Sequence, residues 1–323
     1  MLKWIRSLIV ILLSMTVIVI YQSLTYADEL ETVSTYKSWK ITFNTPISPD
    51  YINSDSIYVM NEETGKRVSS VQLNLSQDQK VVTIQPTVPY NPTTTFTLHI
   101  KQPIISTKGM PMMEGEQKQF KTKGKPKYSE QAMEYFQEIA FGSEWGDADY
   151  PVRKWNNNPR IKVFGNPSDK DMNALQNTIS EVNGLQDHIE LKLVDSDPNI
   201  KIYFVPLEDF GEYVDNPKAG NWGLFYYWWE PGEFVIDEAE ILISTDKPTP
   251  KGRSHLIREE LTQSLGLPRD SYSYPKSMFF QDYTTVTAYT ELDKTLIQML
   301  YEDEIKAGMT QVEAIEVFHN LLP

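Results

Sequence analysis

Apolar and polar positions alternate in short runs through the first third of the chain, and give way to longer, helix-spaced patterns beyond residue 128. Residues 39–43, 56–60, 71–75, 81–84, 95–100 and 119–122 read as strands, parted by turn-forming stretches such as Asn44-Thr45-Pro46 and Ser76-Gln77-Asp78. Six or seven strands at this spacing predict an all-β sandwich over residues 31–122. Residues 123–127 are basic, polar and broken by Gly124 and Pro126, and read as a linker.

From 128 to 323 helix and strand patterns alternate. Met133, Phe136, Ile139 and Ala140 share one helical face, and a strand follows at 160–164. Ser168 and Asp171 form a capping box ahead of Met172, Leu175, Ile179, Val182 and Leu185 at helical spacing. Strands are expected at 189–194, 199–205 and 238–243, then a helix opening at Thr249-Pro250 and stopping at Gly266. A second capping box at Thr290 and Asp293 starts another helix. A last short helix after Gly308 carries Val312, Ile315, Val317, Phe318 and Leu321 and is expected to dock on the domain. This order predicts an α/β (α+β) domain, with one helix behind a mixed sheet and the Gly266-stopped helix beneath it.

Candidate chemistry gathers on that helix. At about 100° per residue, His255, Glu259, Glu260 and Gln263 fan over one face, opposite Ile257, Leu261, Ser264 and Leu265. The polar set is expected to look into a cleft. Between the strands, the stretch 220–230 holds six aromatics: Trp222, Phe225, Tyr226, Tyr227, Trp228 and Trp229. It offers either a stacking surface for sugars or peptide, or two hairpin strands whose rings pack on the sheet and the first domain. The hairpin is favoured, because so dense an aromatic run would be adhesive if fully exposed.

Composition narrows the classes. A net charge of −14 over 323 residues argues against nucleic acid and against an anionic membrane surface as the main partner. The absence of cysteine excludes disulfides and thiolate metal sites. Lys3 and Arg6 precede an uncharged apolar run, with small residues before Asp28, so residues 1–27 read as a secretory signal peptide. An uncleaved membrane anchor is the alternative, and either places the remainder outside the cytoplasm or at the cell surface.

Two resemblances add to this. W-K-I-T-F-N-T-P-I from Trp39, I-Q-P-x-x-x-Y from Ile84, the strand F-T-L-H-I from Phe96 and Phe120-Lys121-Thr122 resemble the bacterial Ig-like domains of S-layer and other surface proteins. Such domains act as spacers or interaction modules. Aligned on Gly266, Glu259-Glu260-Leu-Thr-Gln263-Ser-Leu-Gly266-Leu-Pro-Arg269 resembles the metzincin motif HExxHxxGxxH. Ser277-Met278-Phe279 resembles the methionine turn under the metal of that fold, and the helix after Thr290 its closing helix. R-E-E-L-T-Q-S-L-G-L-P is also similar to the hallmark of an uncharacterised bacterial domain family.

The resemblance implies Glu260 at the general-base position and Glu259, Gln263 and Arg269 at the three ligand positions, with His255 nearby. An amide is a poor zinc ligand and a guanidinium cannot ligate, so no cofactor is expected and zinc is disfavoured. With four histidines in the chain, a three-histidine site would need two of the remote His99, His188 and His319. His99, alone on its strand, is expected to be structural. Arg269 is expected to pair with Glu259 or Glu260 in place of the metal charge.

The expected function is therefore that of a secreted or membrane-tethered surface protein, whose metzincin-like domain binds a cell-envelope protein, peptide or glycan, or is structural. The alternatives are an atypical metallopeptidase-type hydrolase with Glu260 as base, and an envelope glycan-binding adhesion module using the aromatic stretch.

Overall fold

The computed structural model describes residues 30–112, 114–142, 150–214, 217 and 220–323. The expected signal peptide or anchor at 1–27 lies outside them. No helix among the described residues is long and apolar enough to cross a membrane.

The elements run β1 (Thr32–Val33), β2 (Trp39–Thr42), β3 (Ile57–Asn61), β4 (Lys66–Arg67), β5 (Val71–Leu75), β6 (Val81–Pro86), β7 (Thr95–Ile100) and β8 (Glu116–Thr122). After these come α1 (Glu130–Ala140), β9 (Lys154–Trp155), β10 (Arg160–Gly165), α2 (Asp169–Leu185), β11 (Lys192–Leu193), β12 (Ile200–Val205), β13 (Gly223–Trp229) and β14 (Val235–Ser244). The helices α3 (Pro250–Gln263), α4 (Glu291–Leu300) and α5 (Gln311–Asn320) complete the chain. Two compact units result, divided between Lys127 and Tyr128, with His319–Pro323 counted in the first.

In the first unit a sheet ordered β1-β8-β7-β3-β4 and another ordered β2-β6-β5 enclose a core that includes Trp39, Phe43, Val59, Ile84, Phe96 and Phe120. The alternation of Trp39 and Ile41 inward with Lys40 and Thr42 outward follows the two-residue strand period. The structure has two more paired segments than the pattern showed, β1 and β4, each only two residues long and too short to display alternation. His99 stacks on Tyr58 at 4.9 Å within this sheet, and His319 stacks on Tyr36 at 3.7 Å.

In the second unit the ladder runs β11-β10-β12-β14-β13, with β9 beside β14. β10, β11, β12 and β14 are parallel, and β13 is antiparallel to β14. The expected strand at 189–194 shrinks to Lys192–Leu193. Side-chain amides take its backbone bonds instead: Asn183 bonds the N–H and the carbonyl of Leu191 at 2.9 Å each, and Gln186 bonds both N–H and carbonyl of Ile189. The aromatic stretch forms one strand, β13, whose hairpin partner is β14, rather than two strands of its own. Val312, expected to dock, is 76% exposed, whereas Ala314 and Phe318 carry the buried face of α5.

Both expected capping boxes form, Ser168 with Asp171 and Thr290 with Asp293. Each acid has a second task. Asp171 binds Arg253 of α3 at 2.7 Å, and Asp293 accepts from the Ser277 hydroxyl at 2.5 Å and the Met278 N–H at 3.1 Å. Tyr135 of α1 donates to the same Ser277 at 2.7 Å, so the turn at Ser277 is tied to two helices.

Two buried cations stand side by side at the start of β9. Arg153, just before it, is caged by the rings of Tyr150, Tyr227 and Trp229 at 4.8, 5.3 and 5.3 Å and donates to the Gly142 carbonyl. Lys154 is 1% exposed, donates to the Ile305 carbonyl at 3.0 Å and lies over the Tyr301 ring. Burial, helped by Lys306, pushes its ammonium down to about 8 from 10.5. The folded chain thus binds this proton less tightly than the unfolded chain. Stability gains as pH climbs from about 8 toward 10.5, and loses that gain below.

Two outcomes follow for the fold. Lys154→Met removes the group whose titration drives this rise, so chemical denaturation followed from pH 8 to 10.5 should lose the alkaline gain in stability. Gly266→Ala is expected to cost about 3 kcal/mol or more in the same measurement, because an added Cβ would meet the Arg153 carbonyl oxygen at 2.0 Å.

Candidate functional site

α3 begins where Thr249 accepts from the Gly252 N–H at 3.1 Å and Pro250 fills the first turn, where no amide donor is needed. Its far end is clamped. Trp155 donates to the Ser264 carbonyl and Tyr301 to the Leu265 carbonyl, each at 2.9 Å. Gly266, at φ +118°, turns against the Arg153 carbonyl, an approach that only a residue without Cβ allows.

This helix buries charge as well as apolar surface. Arg253 pairs with Asp171, and Arg258 pairs with Glu181 and lies over the Tyr289 ring at 4.4 Å. The Thr262 hydroxyl bonds that of Tyr289 at 2.6 Å. With α2 and the segment of Tyr289 gripping separate side chains, the rotation of α3 about its axis is set. The expected face, His255, Glu259, Glu260 and Gln263, opens onto a cleft of about 310 Å³.

His255 is held at both ring nitrogens. Nδ1 lies 2.7 Å from the Val286 carbonyl, and Nε2 lies 3.2 Å from the Glu259 carboxylate. Burial lowers the basicity of the ring, but the hydrogen bond and charge of Glu259, with the Val286 carbonyl, raise it more. The net effect raises the basicity of His255 above that of a free histidine side chain.

Glu260 is 6% exposed and lies on the cleft wall against Gly223, the first residue of β13. A Cβ at position 223 would stand 2.6 Å from Glu260 Oε1, so this glycine makes room for the carboxylate. Gln263 does face the cleft, but its amide donates to Asp270 at 2.6 Å, and Gln281 reaches the other oxygen of Asp270 at 3.4 Å. Arg269 corrects an expectation. Its side chain is exposed and forms no ion pair with Glu259 or Glu260, while its backbone N–H donates to Ile139. The tight turn at Gly266 swings position 269 outward and brings Asp270 round to the cleft.

Of the remote histidines, none joins this cleft: His188 faces Asp303 at 3.5 Å, and His99 and His319 belong to the first unit. Asp270, Asp282, Gln281, Tyr283 and Gly223 line the cleft and were not singled out in the sequence. The neighbouring Gly220-Asn-Trp-Gly223 glycines and the Asp beside Arg269 were the available signals. Trp222 and Tyr283 meet edge to face at 6.0 Å across the rim. Four carboxylates line the recess, from Glu259, Glu260, Asp270 and Asp282, against the single basic side chain of His255 among the described lining residues. An acidic recess with aromatic walls attracts positive charge and hydrogen-bond donors.

Comparison with known proteins matches residues 129–320 to the family described as "Protein of unknown function (DUF2927)" and residues 18–122 to "Bacterial Ig-like domain". Among curated proteins no sequence matches the chain. Similar solved structures include native alpha-2-macroglobulin from Escherichia coli, domains MG0-NIE-MG1, at 19% identity and TM-score 0.24, covering 29% of each chain. They also include domains 1–6 of the surface layer protein SbsC, at 15% identity and TM-score 0.25, covering 42% of this chain and 16% of that one. Myroilysin is similar at 12% identity and TM-score 0.33, covering 52% of this chain and 96% of its own. The chain spans less than a third of the first of these and less of the second. Its second unit is matched over nearly its whole length, more than half of all 323 residues: the protein belongs to the DUF2927 family and carries a bacterial Ig-like domain ahead of that region.

Proposed function

We propose that this is an exported cell-surface protein whose Ig-like domain precedes a metzincin-like, zinc-free binding module. In this reading the α3 cleft holds a positively charged group of an envelope peptide or protein and does not cut it. Export rests on the basic start and apolar run of residues 1–27 together with the Ig-like match.

One observation carries the binding reading: the cleft side chains satisfy one another. A catalytic zinc centre needs three protein ligands and an open position, commonly with imidazoles one helical turn apart. Here the His255 imidazole faces acceptors on both nitrogens, and the residue a turn beyond Glu259 is an amide spoken for by Asp270. These donors do not fit a three-histidine zinc site. The recess also carries the Asp282 carboxylate beside the Trp222 and Tyr283 rings. An ammonium or guanidinium would meet both carboxylate and ring faces there.

Elemental analysis of the full chain purified with added zinc should find metal well below one equivalent. Stoichiometric zinc that is lost in Glu259→Ala would overturn the reading in favour of the hydrolase with Glu260 as base. In calorimetric titration the full chain should bind a lysine decapeptide and not a glutamate decapeptide. Glu260→Gln should weaken that binding about tenfold, or roughly 1.4 kcal/mol. Equal affinity for the two peptides would rule out a cation-selective cleft.

A further inference from the structure

β13 divides its aromatic residues between two faces. Tyr227 and Trp229 turn toward Arg153 and close its cage, whereas Tyr226 and Trp228 point the other way, as the two-residue strand period requires. On that second face a shallow groove of about 320 Å³ runs between Tyr213 and the pair Tyr226 and Trp228, with Glu212 and Glu240 at its rim. Trp228 is 47% exposed and Tyr213 39%, which leaves two large rings in water on one patch. Such exposure costs solvation free energy and is a usual mark of a binding surface.

The groove is fixed before anything enters it. The turn carrying Tyr213 is anchored by a small core of Val205, Phe210, Leu224 and Leu242. Tyr213 leans on Tyr203 at 4.6 Å, and Tyr203 in turn stacks on Phe164 at 5.1 Å. Glu240 is held by Lys201 at 3.1 Å, and the same ammonium takes Glu238 at 2.8 Å. The rings and the acceptor thus have set positions, so little ordering remains to be done on binding.

We infer that this groove is a glycan-binding site, separate from the α3 cleft, that takes a neutral pyranose of a polysaccharide. A pyranose has an apolar face of C–H groups, which matches the negative faces of the Trp228 and Tyr213 rings. Its hydroxyl edge supplies donors, which match the carboxylate acceptors Glu212 and Glu240. The Glu212 carboxylate disfavours uronic acids and phosphorylated sugars. Lys201 already offsets Glu240, so the groove has less pull on a cation than the cleft has. The volume lies at the small end of the ligand-pocket range, suited to one or two sugar rings of a longer chain.

Affinity electrophoresis tests this with the full chain, run in native gels containing a mixed-linkage β-glucan, galactomannan or glycol chitin, and polygalacturonate as the anionic counterpart. At least one of the first three should retard the protein. Trp228→Ala should reduce that retardation tenfold or more, and Trp228→Phe should keep most of it. Because Trp228 is a surface residue, thermal melting of the alanine variant should match the parent. Three outcomes overturn the assignment: no retardation by any of the three polymers, retardation by polygalacturonate alone, or retardation undiminished in Trp228→Ala.

Discussion

The second unit depends on how closely Gly266 approaches the Arg153 carbonyl. No side chain fits there, so the end of α3 comes to rest directly on the segment leading into β9. Trp155 and Tyr301 then take the Ser264 and Leu265 carbonyls that a helix end otherwise leaves without partners. This fixes the axial position of α3 against the sheet. The cleft, the outward turn of Arg269 and the inward turn of Asp270 all follow from it.

Axial position alone does not decide which face of a helix looks where. An apolar stripe usually does, and α3 has one in Ile257 and Leu261, but the helix also buries His255, Arg258, Glu259 and Glu260. Directional pairs, with Asp171 and Glu181 of α2 and the Val286 carbonyl, therefore help to fix its rotation. Buried pairs of this kind add little net stability, because desolvation offsets much of their attraction, but leaving one partner alone is costly. They therefore specify one arrangement more than they strengthen it. The same economy appears in Asp171 and Asp293, each of which caps a helix and holds a second element.

β13 joins these features. Its first residue, Gly223, makes room for Glu260 in the cleft, its inner rings cage a buried guanidinium, and its outer rings line the groove on the opposite face. One edge strand thereby serves two surfaces of different character, one acidic and recessed, the other aromatic and shallow.

Much of the frame was legible in residue order, because caps, stops and periodicity are local. Thr249-Pro250 and Gly266 bounded α3, two capping boxes started α2 and α4, and alternation marked most strands of both units. The polar face of α3 was likewise read from its 3.6-residue period. What the sequence could not settle was anything requiring a partner far along the chain. Glu259 pairs with His255 rather than Arg269, because the turn at Gly266 is set by Arg153, more than a hundred residues earlier. Asn183 and Gln186 replaced a strand by bonding its backbone, which no pattern of apolar residues records. The aromatic run looked uniform in sequence, and only the sheet, with Arg153 on one side of it, decided which rings are core and which are surface.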